Sequence, residues 1–196
     1  MSFEKNRRDI VHLLNERYPS GIGCEVGVLR GDFSHHLLSH WNCSKLYLVD
    51  CWTEHEDYDE TFHNHKTNYS IMKNKLAPFA DRIEVCKGYS NKVVHCFDNE
   101  CFDFVYIDAN HSYEGCKEDL DLYWEKLKPG GILMGDDYHL KDVEDLNFSG
   151  NKVTFGVTKA VDEFAKERRR IYDIRYTADW MYSSPDICAR NFVIQK

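Results

Sequence analysis

Apolar and polar positions along the 196-residue chain fall into blocks that alternate between two periods. Ile10, Val11, Leu13 and Leu14 share one side of a helical stripe over residues 4–17. GIGCEVGV then reads as a first strand, DFSHHLLSHW as a helix opened by Asp32, and KLYLVD as a second strand. A helix around residues 65–79 precedes the strand RIEVCKG and a short helix near 90–98. FDFVYID is the fourth strand. In EGCKEDLDLYWEKLK, Leu120, Tyr123, Trp124 and Leu127 return at helical spacing before PGG stops the helix. GILMGDD is the fifth strand, VTFGVTKAVDEFAKERR a further helix, and RIYDIRY and CARNFVIQ two closing strands. Alternation of this kind predicts an α/β fold: a doubly wound, mostly parallel, seven-stranded sheet flanked by helices. The aperiodic segment 138–152 predicts a lid or binding loop.

Composition narrows the picture to one domain, spanning residues 1–196. A net charge of -8 offers no basic surface to a phosphate backbone, which argues against nucleic acid as partner and for a small molecule or glycan. The charged N-terminal stretch has no continuous apolar run, and no later segment is long enough to span a bilayer, so the expectation is a soluble, cytoplasmic protein without a membrane partner. Eight cysteines form no CxxC pair, and several fall in apolar strand-like runs, as buried free thiols do. A homo-oligomer is compatible with all of this.

In open sheets of this kind ligands sit beyond the carboxyl ends of the strands. Gly27 and Gly31 in EVGVLRGDFS bracket a turn into a helix whose first amides can receive a carboxylate. Asp50 ends the second strand, where an acid can accept both hydroxyls of a ribose. Gly88, Tyr89 and Ser90 follow the third and can flank an adenine. The glycine spacing is G-x-x-x-G preceded by an acid, rather than the G-x-G-x-x-G of dinucleotide enzymes. Glu25 would repel a pyrophosphate and suit a cationic ligand such as S-adenosylmethionine. A tight strand-to-helix turn needing small residues explains the glycines equally well. Trp52, Tyr58 and Phe62 form either an aromatic lid over that ligand or ordinary packing of the next helix.

Asp108 and His111 leave the fourth strand, and Asp136 and Asp137 leave the fifth, one crossover helix later. Parallel strands joined in this way lie side by side, so the three acids can converge. Their repulsion calls for a hard divalent cation, Mg2+ or alternatively Mn2+ or Ca2+. His111, with an ordinary pKa of about 6.5, can accept a proton in the same pocket. An Asp-Asp turn cap and a helix-capping histidine are the plainer alternatives.

Together EVGVLRGDFS, LYLVDCW and FDFVYIDANHSYEGCKEDLDLYWEKLKPGGILMGDDY resemble class I S-adenosylmethionine-dependent methyltransferases over about residues 20–195. More narrowly, the chain is similar to the metal-dependent small-molecule O-methyltransferases that include the macrocin-type sugar enzymes and, more distantly, catechol O-methyltransferase. The resemblance implies a metal on Asp108, Asp136 and Asp137, with His111 as base. It further implies methylation of a hydroxyl on a sugar, glycan or other polyhydroxylated acceptor. Glu25, Gly27, Gly31, Ser34, Asp50, Trp52, Gly88, Tyr89, Ser90 and Asp108 would hold the donor, and Tyr138 and His139 would line the acceptor site. The catechol enzyme uses a lysine as base, whereas Lys117 here falls on the predicted helix. An NAD-type oxidoreductase and a non-catalytic donor-binding module are the rival classes.

Overall fold

The computed structural model describes residues 7–53, 65–138, 144–146, 152–154, 156–176 and 190–196. A 3-10 turn, Arg7–Asp9, leads into α1 (Ile10–Arg17), which buries Ile10, Val11 and Leu14 of the predicted stripe. There follow β1 (Ile22–Val26), α2 (Asp32–His40), β2 (Lys45–Asp50), α3 (His65–Leu76), β3 (Ile83–Lys87) and α4 (Ser90–Val93). The second half runs β4 (Phe102–Ile107), α5 (Tyr113–Lys126), β5 (Leu127–Gly135), β6 (Glu144–Leu146), β7 (Lys152–Thr154), α6 (Val157–Glu167), β8 (Tyr172–Tyr176) and β9 (Arg190–Gln195).

Seven strands form one sheet in the order β3-β2-β1-β4-β5-β9-β8. The first five pair in parallel and β9 and β8 antiparallel, so the mostly parallel sheet with helices on both faces is the one the alternation predicts. Strand order reverses between β1 and β4, which opens a crevice beyond their carboxyl ends.

Two cores cover the sheet. On one face Ile10, Leu14, Leu37, Met72 and Leu76 pack against Leu46, Leu48, Phe104 and Ile132. On the other, Leu120, Tyr123, Trp124, Val161 and Phe164 pack against Cys24, Val26, Val105 and Leu133. β4 is buried at every residue because both of its faces are covered, which is why FDFVYI reads as a nearly unbroken apolar run.

Two predicted boundaries move. Residues 138–152 are not wholly irregular: β6 and β7 pair antiparallel, Glu144 opposite Thr154, and β7 takes Val153 and Thr154 from the start of the predicted sixth helix. β5 begins as soon as α5 ends, with Leu127 pairing to Phe102 through a register shift before Ile132 pairs to Phe104. PGG therefore lies inside the strand's span rather than ahead of it. Among the described residues no helix is long and apolar enough to cross a membrane, and the described cysteines are free thiols. Cys188 lies outside the described residues.

Candidate active site

Every strand-end residue singled out from the sequence, where described, lies at or just beyond the carboxyl edge of β1 to β5. At β1, Glu25 is buried and accepts a 2.5 Å hydrogen bond from the Ser34 hydroxyl, which α2 brings back over the strand. Burial pushes the Glu25 carboxyl up to about 8; the Ser34 bond opposes this and the neighbouring Asp108 adds to it. Gly27 has φ 88°, and a Cβ there would lie 1.9 Å from the Asp108 carbonyl oxygen, so the β1 turn and the β4 exit touch through a position with no room for a side chain. Gly31, at φ 71°, is the N-cap of α2, one residue ahead of the predicted helix start.

Asp50 is committed locally. Its Oδ2 accepts the Val28 and Leu29 amides at 2.9 and 2.8 Å, and its Oδ1 accepts the Trp52 amide at 3.0 Å. The acid at the end of β2 therefore shapes the β1 turn, and Oδ1 keeps a lone pair for a hydroxyl. Trp52 is buried, packs on Tyr69 at 5.0 Å and donates its indole N–H to the Leu29 carbonyl. It braces the turn from behind. Gly88, Tyr89 and Ser90 form the turn from β3 into α4, with Tyr89 largely exposed. Tyr58, Phe62 and His139 lie outside the described residues.

The acids beyond β4 and β5 divide into two groups. His111 Nε2 lies 3.2 Å from Asp108 Oδ1 and 3.1 Å from Asp137 Oδ2. Asp136 turns the other way: its Oδ2 accepts the Arg7 guanidinium at 2.6 Å and its Oδ1 accepts the Asn191 amide at 3.1 Å. Burial pushes the Asp136 carboxyl up, Asp108 and Asp137 reinforce this, and Arg7 opposes it. The structure thus brings together two of the three predicted acids, with the predicted base between them, and pairs the third with a cation of the chain. Ser112, and not His111, caps α5, accepting the Gly115 amide at 3.1 Å.

Among the described residues, Asp108, His111 and Asp137 offer ligand atoms that all lie within 4.8 Å of one another. Two carboxylate oxygens this close to one imidazole nitrogen require positive charge between them, either a proton on Nε2 or a metal ion. The two carboxylates fit a hard divalent cation such as Mg2+ or Mn2+, with the imidazole beside them. Leu29, Trp52 and Asp137 hold positive φ, at 51°, 42° and 56°, at this edge of the sheet, while Glu100 and Arg169 do so away from it.

A sequence model of a family described as a methyltransferase domain matches residues 24–138, from Cys24 in β1 to the residue after the β5 acids. The chain belongs to this methyltransferase family. Solved structures share the methyltransferase's fold at low identity. An O-methyltransferase from Bacillus cereus in complex with SAH is 18% identical with a TM-score of 0.66, over 97% of this chain and 80% of that one. The 1,6-didemethyltoxoflavin N1-methyltransferase of Burkholderia thailandensis is 12% identical with a TM-score of 0.64, over 96% and 76%. An rRNA methylase from Streptococcus thermophilus is 12% identical with a TM-score of 0.59, over 91% and 87%. Among curated proteins none matches the chain.

Three residues of the methyltransferase's site region were not evident from the sequence. Arg7 lies in the N-terminal turn, which carried no signal beyond its charge, yet it reaches Asp136 and the Tyr106 hydroxyl and stacks 5.4 Å from the centre of Phe33. Asn191, on β9, accepts the Tyr106 hydroxyl at 2.9 Å while donating to Asp136. Asp119 is a buried acid on α5; burial raises its carboxyl to about 7, against a bond from Ser90. A signal for it existed, since Asp119 interrupts the apolar stripe formed by Cys116, Leu120 and Tyr123. Tyr138 is buried with its hydroxyl 3.0 Å from Asp162 and 2.9 Å from the Tyr172 hydroxyl, so it ties the end of β5 to α6 and β8.

Proposed function

We propose that this methyltransferase moves a methyl group from S-adenosylmethionine to a hydroxyl of a sugar, a glycan terminus or another small polyhydroxylated acceptor, with a divalent cation at Asp108 and Asp137 and His111 as general base. The observation that carries this reading is the convergence of Asp108, His111 and Asp137 on one point, across the Gly27 contact from Glu25. The donor supplies a methyl carbon already activated by a sulfonium, so the chain's task is to hold it and to deprotonate a weak nucleophile. Glu25, buried and easily protonated when alone, ionises to face the donor's positive charge. The β1 turn, shaped by Asp50, presents its amides to the donor's carboxylate.

A divalent cation held by Asp108 and Asp137 would make a neighbouring hydroxyl easier to deprotonate and would balance the two carboxylates, leaving His111 Nε2 open to accept a proton. His111 then takes the hydroxyl proton as oxygen bonds to the methyl carbon, and sulfur keeps the electron pair of the bond it loses. Asp136, bound to Arg7 and Asn191, holds the β5 exit in place. The test is transfer from labelled donor to a panel of deoxysugars and catechols, with and without chelator. Turnover that survives both chelation and His111→Ala removes this mechanism. Donor binding without turnover on any acceptor favours a non-catalytic module instead.

A further inference from the structure

The large sheet has two edges, and β8 forms one of them: among the described residues its strand neighbour is β9 alone. Which of its backbone groups face outward follows from the strands inside it. On β9, Arg190 and Lys196 turn their peptide groups toward β5: the Arg190 carbonyl accepts the Tyr138 amide at 2.8 Å, and the Lys196 carbonyl accepts the Gly130 amide at 2.9 Å. Successive residues of a strand face opposite sides, so Asn191 and Val193 serve β8, where they stand opposite Arg175 and Asp173. The peptide groups of Tyr172, Ile174 and Tyr176 are left for the outer edge. The Ile174 amide agrees, since it donates to the carboxylate next to it, Asp173 Oδ1, at 3.1 Å. YDIRY holds no proline, glycine or lysine and pairs with β9 without a register shift, so it lacks the proline, lysine or bulge that commonly blunts an edge. Ile171, just ahead of it, is 92% exposed.

We propose that β8 is a homodimer interface, at which a second copy of this chain adds its own β8 antiparallel about a two-fold axis at Ile174 and joins the two sheets into one. In a symmetric antiparallel pair the axis passes through a residue that stands opposite itself. At Ile174 the two copies exchange outward amides and carbonyls, and Tyr172 of each stands opposite Tyr176 of the other. Asp173 then stands opposite Arg175 of the second copy, and Arg175 opposite its Asp173. These are the non-hydrogen-bonded pairs, whose Cα atoms approach to about 4.5 Å, and opposite charges there stabilise the ladder. Charge also excludes the neighbouring registers, because an axis at Asp173 or at Arg175 sets that residue against its own like-charged copy. The other edge strand, β3, has no such centre: an axis at Val85 sets Glu84 against Cys86 and Ile83 against Lys87. The interface lies two strands beyond β5, uses no residue of the candidate active site, and stands independently of the reaction proposed there.

Sedimentation equilibrium of the full chain tests this, with the fold of each variant checked by thermal melting. A short strand pair sits at the small end of specific interfaces, so the wild type is expected to dimerise with a Kd of about 1–100 µM. Asp173→Arg and Arg175→Asp each turn both attractive pairs into repulsive ones, and each should weaken self-association by about tenfold or more. Mixed in equal amounts, the two variants place opposite charges face to face again, and the mixture should associate within about threefold of wild type. Asp173→Asn and Arg175→Gln serve if a reversal does not fold, and each should weaken the dimer by about threefold. A wild-type chain that stays monomeric up to about 500 µM overturns the proposal. A dimer indifferent to these charges overturns it as well, and so does a mixture of the reversal variants that associates no better than either alone.

Discussion

Asp50 and Asp108 occupy corresponding places, one at the end of β2 and the other just beyond β4, on either side of β1, yet they meet opposite surroundings. Asp50 spends its oxygens on the amides of Val28, Leu29 and Trp52, so the β1 turn is held in shape by the chain itself. Asp108 faces His111, and His111 faces Asp137 in turn, so this side is charge-unbalanced without a proton or ion in its midst. The contrast teaches that one half of the crevice is preorganised by backbone hydrogen bonds, whereas the other depends on what binds there. Gly27 is where the two halves touch.

The largest expected effect lies on the unbalanced side. His111→Ala should lower kcat by about 10³-fold and leave donor affinity within about twofold, measured by labelled methyl transfer and by titration. An equal loss of donor affinity would show that the halves are not separable. Next, Gly27→Ala forces a side chain onto the Asp108 carbonyl at a positive φ, and should cost about 3 kcal/mol in denaturant unfolding while damaging donor binding and turnover together.

Glu25→Gln sharpens the comparison through pH. The folded carboxyl titrates near 8, above its ordinary value of 4.5, so the protonated form stabilises the fold. That stability is fully present below about pH 4.5 and lost as pH rises through about 8. The variant escapes this loss and should exceed wild type by about 2 kcal/mol at pH 9, with no difference below about pH 4.5. Donor affinity should rise toward pH 8 in wild type and stay flat and weak in the variant. Thermal melts and titrations at several pH values check both signs. The smallest effect is expected for Arg7→Gln, which frees Asp136 from its 2.6 Å ion pair. It should cost about 1 to 2 kcal/mol of stability, limited because Asp136 keeps its bond from Asn191 and can take up a proton, and should tighten Mg2+ binding as a third carboxylate gains freedom to turn toward the ion.

Much of this edge was legible before any coordinates. Glu25, Gly27, Asp50, Ser90, Asp108 and the Asp136–Asp137 pair stand out because strand periodicity marks where each strand ends, and ligands gather at those ends. The grouping of the acids was not legible. Asp136 and Asp137 are chain neighbours, but φ 56° at Asp137 helps send one side chain to His111 and the other to Arg7, a backbone twist that composition does not announce. Asp119 could have been noticed as an acid in an apolar stripe.

The sequence by itself determined the α/β alternation, the parallel core and the positions of the strand ends, because apolar periodicity and glycine placement act within a few residues along the chain. Only the tertiary structure decided which charges meet. Arg7 and Asp136 are 129 positions apart, Tyr106 and Asn191 are 85, and pairings at such separations follow from how helices and strands stack. Burial then decides how strongly each pair is felt, since a charge withdrawn from water interacts mainly with the few groups packed around it.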